Sequence, residues 1–134
     1  MDLSNFDSSH IEADLTLRHP VTGEPLSDDD GAATIRLRCV DHEVVQKAAR
    51  KRLAESLEIT KKDPAKSLEV SYKNIIENLV SATVSWEKIQ LEGEVLEYSE
   101  DNARKLYRRF PWIREQVDAF MSDRANFFKA SPEN

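Results

Sequence analysis

The sequence has few of the residues that disulfides, phosphate loops and membrane spans require. One cysteine among 134 residues excludes an intramolecular disulfide. The three glycines, Gly23, Gly31 and Gly93, are too far apart to form a phosphate-binding loop or a dinucleotide-binding motif. No apolar run approaches the roughly 18 residues of a transmembrane helix, and the first residues have neither the basic start nor the apolar stretch of a signal peptide. These absences predict a cytoplasmic protein.

The negative charge of the chain is concentrated near its N-terminus. The formal net charge is −6, but residues 1–30 contain eight acidic side chains and one basic side chain, which leaves the rest of the chain at +1. A nearly neutral body does not favour a dedicated nucleic-acid-binding domain, which usually has a strongly basic face. Length and composition predict one globular domain at 13–128, between a flexible acidic arm at 1–12 and a frayed tail at 129–134.

Two segments near the N-terminus have the pattern of β-strands. Residues 13–18 and 34–40 alternate between apolar and polar side chains, which predicts two strands. Pro20, Gly23 and Pro25 lie between them and predict a long loop. We expect the strands to pair antiparallel as a ribbon. The apolar face of that ribbon must pack on helices, because an isolated ribbon is only marginally stable in water.

Most of the remaining chain has helical patterns. An apolar residue recurs every fourth position from Val45 to Leu57, through Ala49 and Leu53, which predicts an amphipathic helix at about 42–60. Asp41 is its expected cap. Further helices are expected from Asp63 to Val84, from Ser99 to Arg109 and from Pro111 to Phe127, with a small glycine-turn hairpin at 86–98. The predicted fold is therefore mainly α (α+β): a helical domain with an N-terminal two-stranded ribbon and a small central hairpin.

Cys39 and His42 come closest to the residues of a metal or catalytic site. Their spacing resembles half of a zinc site, but the chain has no second half. Nothing in the sequence supplies the third group that would orient a Cys–His pair for nucleophilic catalysis. We interpret Cys39 as a buried strand residue and His42 as part of a helix-capping region. We expect no metal, no cofactor and no catalytic residue. A small enzyme that uses Cys39 and His42 is the least favoured functional hypothesis.

A set of basic side chains could form a patch that gathers phosphates. Its members are Arg36, Arg38, Arg50, Lys51 and Arg52. No aromatic residue is interleaved with them, so the patch lacks a platform for base stacking. A solvated or salt-bridged face is the simpler interpretation.

Aromatic side chains are concentrated near the C-terminus. Five of the ten Phe, Tyr and Trp residues lie between positions 110 and 128. They form either part of the core or a surface for a partner protein, since aromatic residues and methionine are enriched at such interfaces. The candidate partner-binding residues are Trp112, Phe120, Met121, Arg124, Phe127 and Phe128.

Three segments that frame the chain carry a family resemblance. The first runs from Leu15 to Leu26 and contains His19-Pro20-Val21-Thr22-Gly23-Glu24-Pro25. The second contains Trp86, Ile89, Leu91, Gly93, Glu94, Leu96, Ser99, Asn102, Ala103, Leu106 and Tyr107. The third is Trp112-Ile113-Arg114-Glu115-Gln116-Val117-Asp118-Ala119-Phe120, followed by Asp123-Arg124-Ala125-Asn126-Phe127. In these segments the chain resembles the tail assembly chaperones of long-tailed, lambda-like bacteriophages and prophages.

The resemblance implies a non-enzymatic morphogenesis factor of the host bacterial cytoplasm that is absent from the mature virion. Proteins of this family bind the tape-measure protein before the tail-tube protein polymerises around it. The implied partners are the tape-measure protein, the tail-tube protein as a further candidate, and other copies of the chain, with no membrane and no nucleic acid. No catalytic or binding residue is carried over from the family. The alternative is a small nucleic-acid-binding regulatory module of a phage or prophage that uses the basic patch.

Overall fold

The chain folds into a three-stranded sheet, two small hairpins and five helices within residues 1–128, the part that the computed structural model describes. The predicted α+β class is confirmed, with helix predominating. Short 3-10 turns lie at Leu3–Phe6 and Pro64–Lys66. In chain order the elements are β1 (Glu12–Thr16), β2 (Ser27–Asp28), β3 (Gly31–Ala32), β4 (Thr34–Arg38), α1 (Glu43–Lys62), α2 (Ser67–Ala82), β5 (Thr83–Glu87), β6 (Gln90–Leu91), β7 (Glu94–Val95), α3 (Glu100–Arg109), α4 (Pro111–Ser122) and α5 (Ala125–Phe128).

The predicted pairing of the first two long strands is confirmed, but a third strand joins them. β1 and β5 both pair antiparallel with the central strand β4, and Leu15, Ile35 and Trp86 lie side by side across the sheet. The prediction of a two-stranded ribbon is therefore wrong. Thr83 and Val84, which we expected to end a helix, adopt an extended conformation instead. Both are β-branched, and a pleated strand accommodates such side chains better than a helix does.

One face of the sheet is apolar and the other is charged. Leu15, Ile35 and Leu37 are buried beneath α2, α3 and α4. On the opposite face, Arg36 lies between two acidic side chains of β1 and pairs with both. This separation follows from the alternation of side chains along a strand.

The first two helices form the expected hairpin, with altered ends. α1 begins after His42, whose Nδ1 accepts a hydrogen bond from the Val44 amide at 3.1 Å, so His42 rather than Asp41 is its N-cap. Asp41 cannot cap because its carboxylate is bound by other side chains. Asp63 caps the 3-10 turn before α2 by accepting a bond from the Ala65 amide. α2 ends at Ala82, two residues earlier than predicted.

The last predicted helix is divided in two. α4 ends at Ser122, and Asp123 is extended and starts the short α5 by accepting a hydrogen bond from the Ala125 amide at 3.1 Å. The division turns the chain back toward β1, so that Phe127 enters the core. The small central hairpin of β6 and β7 is present within the predicted range.

The N-terminal segment that we expected to be a flexible arm differs from that expectation. It contains a 3-10 turn, and the Ser9 carbonyl accepts a hydrogen bond from the Glu43 amide at 2.9 Å. The Ser8 hydroxyl donates to Asp41, and the Phe6 ring meets the Phe128 ring at 6.2 Å between centroids. The predicted tail at 129–134 lies outside the described residues.

A side chain from α4 borders the sheet next to β1. The Gln116 amide accepts a hydrogen bond from the Arg18 N–H and donates one to the Arg18 carbonyl, each at 2.9 Å. The Gln116 side chain therefore pairs with the backbone of Arg18 as a neighbouring strand would.

Candidate protein-docking surface

Exposed large apolar side chains are concentrated on the hairpin of α1 and α2. Within residues 1–128, seven of the twelve such side chains lie on these two helices. Leu53, Leu57, Leu68 and Ile75 are 60%, 56%, 86% and 54% exposed, and Tyr72 is 46% exposed. We call these five residues the hairpin face. Exposed apolar groups that form a contiguous patch commonly mark a protein-interaction site, whereas scattered ones need no explanation.

Helical spacing places the two α1 residues on one face of that helix and the three α2 residues on one face of the other. Leu57 follows Leu53 by one turn of α1, while Leu68 and Tyr72 precede Ile75 by two turns and one turn of α2. Leu53 and Ile75 form opposite walls of an open groove of about 500 Å³ between the helices. Small or polar side chains complete its lining: Ala49, Arg52, Ser71, Asn74 and Asn78.

The seam between α1 and α2 is polar, and this keeps the leucines outside. Asn74 donates a hydrogen bond to the Ser56 hydroxyl at 2.8 Å, and Arg52 donates to the Asn78 side chain at 3.3 Å. Burial lowers the pKa of Arg52 from its ordinary value. Because these polar side chains occupy the positions that face the partner helix, Leu53 and Leu57 lie beside the seam rather than within it.

This arrangement corrects the prediction of a core-facing stripe on α1. Of the four predicted positions, Val45 is buried, Ala49 is half-buried, and Leu53 and Leu57 are exposed. Val45 is the one buried residue of this twenty-residue helix. Its first turn therefore anchors the helix to the domain, while most of its length extends along α2.

The groove continues from α2 onto α4. Ile75 and Asn78 also line a second cavity of about 300 Å³, with Leu79, Arg114, Glu115 and Asp118. The Arg114 guanidinium lies 5.7 Å from the centre of the Tyr72 ring and donates a hydrogen bond to the Tyr107 carbonyl at 2.8 Å. These contacts fix Arg114 at the border of the hairpin face.

The aromatic residues near the C-terminus mainly build the core. Met121 and Phe127, which we predicted to bind a partner, have 0% and 1% of their surface exposed, so a partner cannot reach them in this fold. The Phe120 and Phe127 rings are in edge contact, with their centroids 5.5 Å apart. Trp112, Phe120 and Phe128 are half-buried. The chain turns at Asp123, and Phe127, in the short helix after the turn, is buried.

Arg124, the remaining predicted partner-binding residue, joins distant parts of the chain. Its guanidinium binds Asp41 through two N–H groups, with 2.9 Å between Nη2 and Oδ1. Ser8 donates a third hydrogen bond to the same carboxylate at 2.7 Å. The Arg124 and Ser8 hydrogen bonds, in that order, hold the pKa of Asp41 below its ordinary value. The structural role of Arg124 is to hold the C-terminal turn against the start of α1.

The predicted basic patch is largely occupied by contacts within the fold. Arg36 pairs with Glu12 at 3.1 Å and Asp14 at 3.3 Å. Arg38 donates to the Ser81 carbonyl at 2.8 Å, and its Nε is buried without a hydrogen-bond partner among the described residues. Arg52 is half-buried in the hairpin seam, so Arg50 and Lys51 are the two exposed members.

Cys39 and His42 both have structural roles. Cys39 is fully buried, and its Sγ lies 4.0 Å from an Asp41 oxygen. His42 caps α1 in a neutral form, and burial, followed by the positive charge of Arg38, lowers its pKa. The interpretation of these residues as a buried cysteine and a capping histidine is confirmed. Within residues 1–128, no three His, Cys, Asp or Glu side chains are grouped so as to hold a metal ion.

In the described part of the chain, none of the helices combines the length and apolar character needed to cross a bilayer. No protein-family model, curated protein or solved structure matches the chain.

Proposed function

We propose that this chain is a non-enzymatic phage tail assembly chaperone, which binds the tape-measure protein in the host cytoplasm and promotes assembly of the tail tube around it. The hairpin face is the observation that carries the proposal. It offers apolar surface on a helical hairpin, whereas the rest of the domain has an ordinary buried core. A long helical client presents many apolar ridges that could dock on such a face.

The residues that carry the family resemblance lie mainly in the core and at a helix cap of this chain. Trp86, Leu106 and Tyr107 belong to the core, and the Trp86 indole donates to the Leu96 carbonyl at 2.7 Å. Ser99 is the N-cap of α3 and accepts a bond from the Asn102 amide at 3.0 Å. Because these residues build the fold, the resemblance concerns the scaffold, and the binding surface is argued separately from exposure.

The size of the hairpin face suits many weak contacts rather than one tight contact. The exposed fractions of its five residues amount to roughly three fully exposed side chains, worth about 5–9 kcal/mol if a client covered them all. Association costs of about 4–15 kcal/mol leave little net affinity for one copy. Several copies on one long client would bind through avidity, so self-association along the client is part of the proposal.

Co-purification tests the proposal. The chain would be co-expressed with the tape-measure protein of the same phage or prophage, and the complex captured through a tag on the client. Leu53→Ser combined with Ile75→Ser should abolish capture, because both substitutions remove apolar walls of the groove. The matched control is Val21→Ser with Val95→Ser, which removes two exposed apolar side chains from loops and a hairpin elsewhere.

The outcomes distinguish the proposal from the nucleic-acid alternative. Capture that survives nuclease and moderate salt, and that only the groove variant abolishes, supports the chaperone function. Failure of the client to capture the chain, together with nucleic acid that co-purifies with the chain and is released steeply as salt rises, would replace it with a regulatory module. Equal capture by the groove and control variants would show that the hairpin face does not bind the client.

A further inference from the structure

The flank of the hairpin face on α1 is basic. Arg50 precedes Leu53 by three residues and Lys61 follows Leu57 by four, so helical spacing places both beside the exposed leucines. Both side chains are exposed. Within residues 1–128, no basic side chain of α1 takes part in an ion pair; the pairs that form involve His10, Arg36, Arg104, Arg109 and Arg124. Within the described residues, neither Arg50 nor Lys61 is therefore held in an ion pair.

The shape of the groove suits a helix. Its floor contains Ala49 and Ser71, whose small side chains allow an apolar ridge to approach the backbone of the hairpin. From Ala49 to Lys61 the helix rises about 18 Å, which corresponds to three turns of a docked helix.

We infer that the hairpin face binds an amphipathic helix whose apolar ridge is flanked by acidic residues on the side that lies over α1. This rests on the proposed function and adds to it the chemistry of the client segment. Arg50 and Lys61 would form ion pairs with this acidic flank. The opposite flank lies over α4, where Arg114 stands beside Glu115 and Asp118, so no single sign of charge is favoured there.

A second copy of the chain fits this face less well. A two-fold interface uses the same patch on both copies. When the α1 helices of the two copies face each other, such an interface brings Arg50 and Lys61 of each copy together, and these four basic side chains repel one another. A client helix with its own acidic flank meets no such repulsion.

Two synthetic peptides and the full chain test the inference. Each peptide is an amphipathic helix of about 20 residues, long enough for partial helicity in water, with a leucine ridge and one glutamine flank. The other flank is glutamate in one peptide and lysine in the second. Fluorescence anisotropy at low salt should show the glutamate peptide binding roughly tenfold more tightly, because two favourable surface ion pairs replace two repulsive ones.

Charge reversal with a matched control locates the effect. Arg50→Glu with Lys61→Glu should reverse the preference between the two peptides. Lys51→Glu with Lys62→Glu makes the same change in net charge on the same helix. Lys51 lies two residues before Leu53 and Lys62 five residues after Leu57, so both lie on the far side of α1 from the leucines, and the control variant should keep the original preference. Circular dichroism checks that each variant is folded.

Several results would overturn the inference. These are equal binding of both peptides by the unmodified chain, no binding of either, or a reversed preference in the Lys51 and Lys62 variant. A dimer in sedimentation that Leu53→Ser with Ile75→Ser dissociates would assign the face to a second copy and overturn it too. The proposed function is judged separately, because co-purification of the tape-measure protein can succeed even if the acidic peptide does not bind.

Discussion

Substituting Phe127 and Leu53 separately would distinguish the core from the docking surface. Phe127 is 1% exposed and contacts Phe120, so Phe127→Ala should lower the free energy of unfolding by about 3–5 kcal/mol. Leu53 is 60% exposed. Burial of a whole leucine side chain is worth about 1.5–3 kcal/mol, so Leu53→Ala should cost about 1 kcal/mol.

These magnitudes predict that the two variants weaken binding for different reasons. A loss of about 3–5 kcal/mol is a large part of the roughly 5–15 kcal/mol that stabilises a domain. Phe127→Ala should therefore weaken client capture by unfolding the chain, and capture should recover at lower temperature where the variant is folded. Leu53→Ala should weaken capture by a chain that remains folded.

Urea denaturation, followed by circular dichroism and by tryptophan fluorescence, measures both free energies. The binding assay is then repeated at a temperature at which both variants are at least 90% folded. This corresponds to a free energy of unfolding of about 1.4 kcal/mol. If Phe127→Ala changes the free energy of unfolding by less than about 1 kcal/mol, the C-terminal turn is not packed as described. If Leu53→Ala costs as much as Phe127→Ala, Leu53 is a core residue and the hairpin face is misassigned.

Three further predictions concern the scaffold. The Thr83 hydroxyl donates to the Leu79 carbonyl and shares a 2.7 Å hydrogen bond with the buried Tyr107 hydroxyl. Tyr107→Phe should lower the free energy of unfolding by about 1 kcal/mol and Thr83→Val by about 1–3 kcal/mol, because only Thr83→Val leaves a buried hydroxyl unpaired. Denaturation should show that the double variant loses less stability than the sum of the two single variants. The pKa of Asp41 is lowered in the fold, so its contribution to stability is present above the unfolded pKa of about 3.9 and is lost as pH falls; Asp41→Asn should therefore be less stable than the unmodified chain at pH 7, and the difference should shrink below about pH 4. Gly93 has φ 83° with open space around it, so Gly93→Ala should cost about 1–2 kcal/mol from backbone strain alone, and a thermal midpoint that stays unchanged would contradict this.

The local elements of the fold were predictable where one pattern dominates. Alternation identified β1 and β4, and the serine at position 99 identified the start of α3. The third strand was missed because Thr83–Glu87 follows α2 without a glycine or proline between them. Whether β-branched residues at a helix end form a strand depends on pairing with β4, which is a tertiary contact.

The docking surface was less predictable for a related reason. Periodicity identifies which residues of a helix share a face, but it does not show what covers that face. Leu53 and Leu57 have the same spacing as core residues, and their exposure depends on the polar seam through Ser56 and Asn74. Ser56 and Asn74 gave the one available sequence signal that these leucines are exposed. Polar side chains at the positions that face the partner helix leave the neighbouring leucines outside the seam.

The amide of Gln116 occupies backbone groups at one edge of the sheet. An uncovered strand edge offers unpaired N–H and C=O groups on which another extended chain can grow, as in amyloid-like stacking. At Arg18 both groups are already bonded to one side chain, and at β5 the Tyr98 hydroxyl donates to the Thr83 carbonyl. Single side chains, one from α4 and one from the segment before α3, thus occupy backbone groups at both edges of the sheet. The backbone of the sheet therefore offers fewer sites on which another extended chain could nucleate.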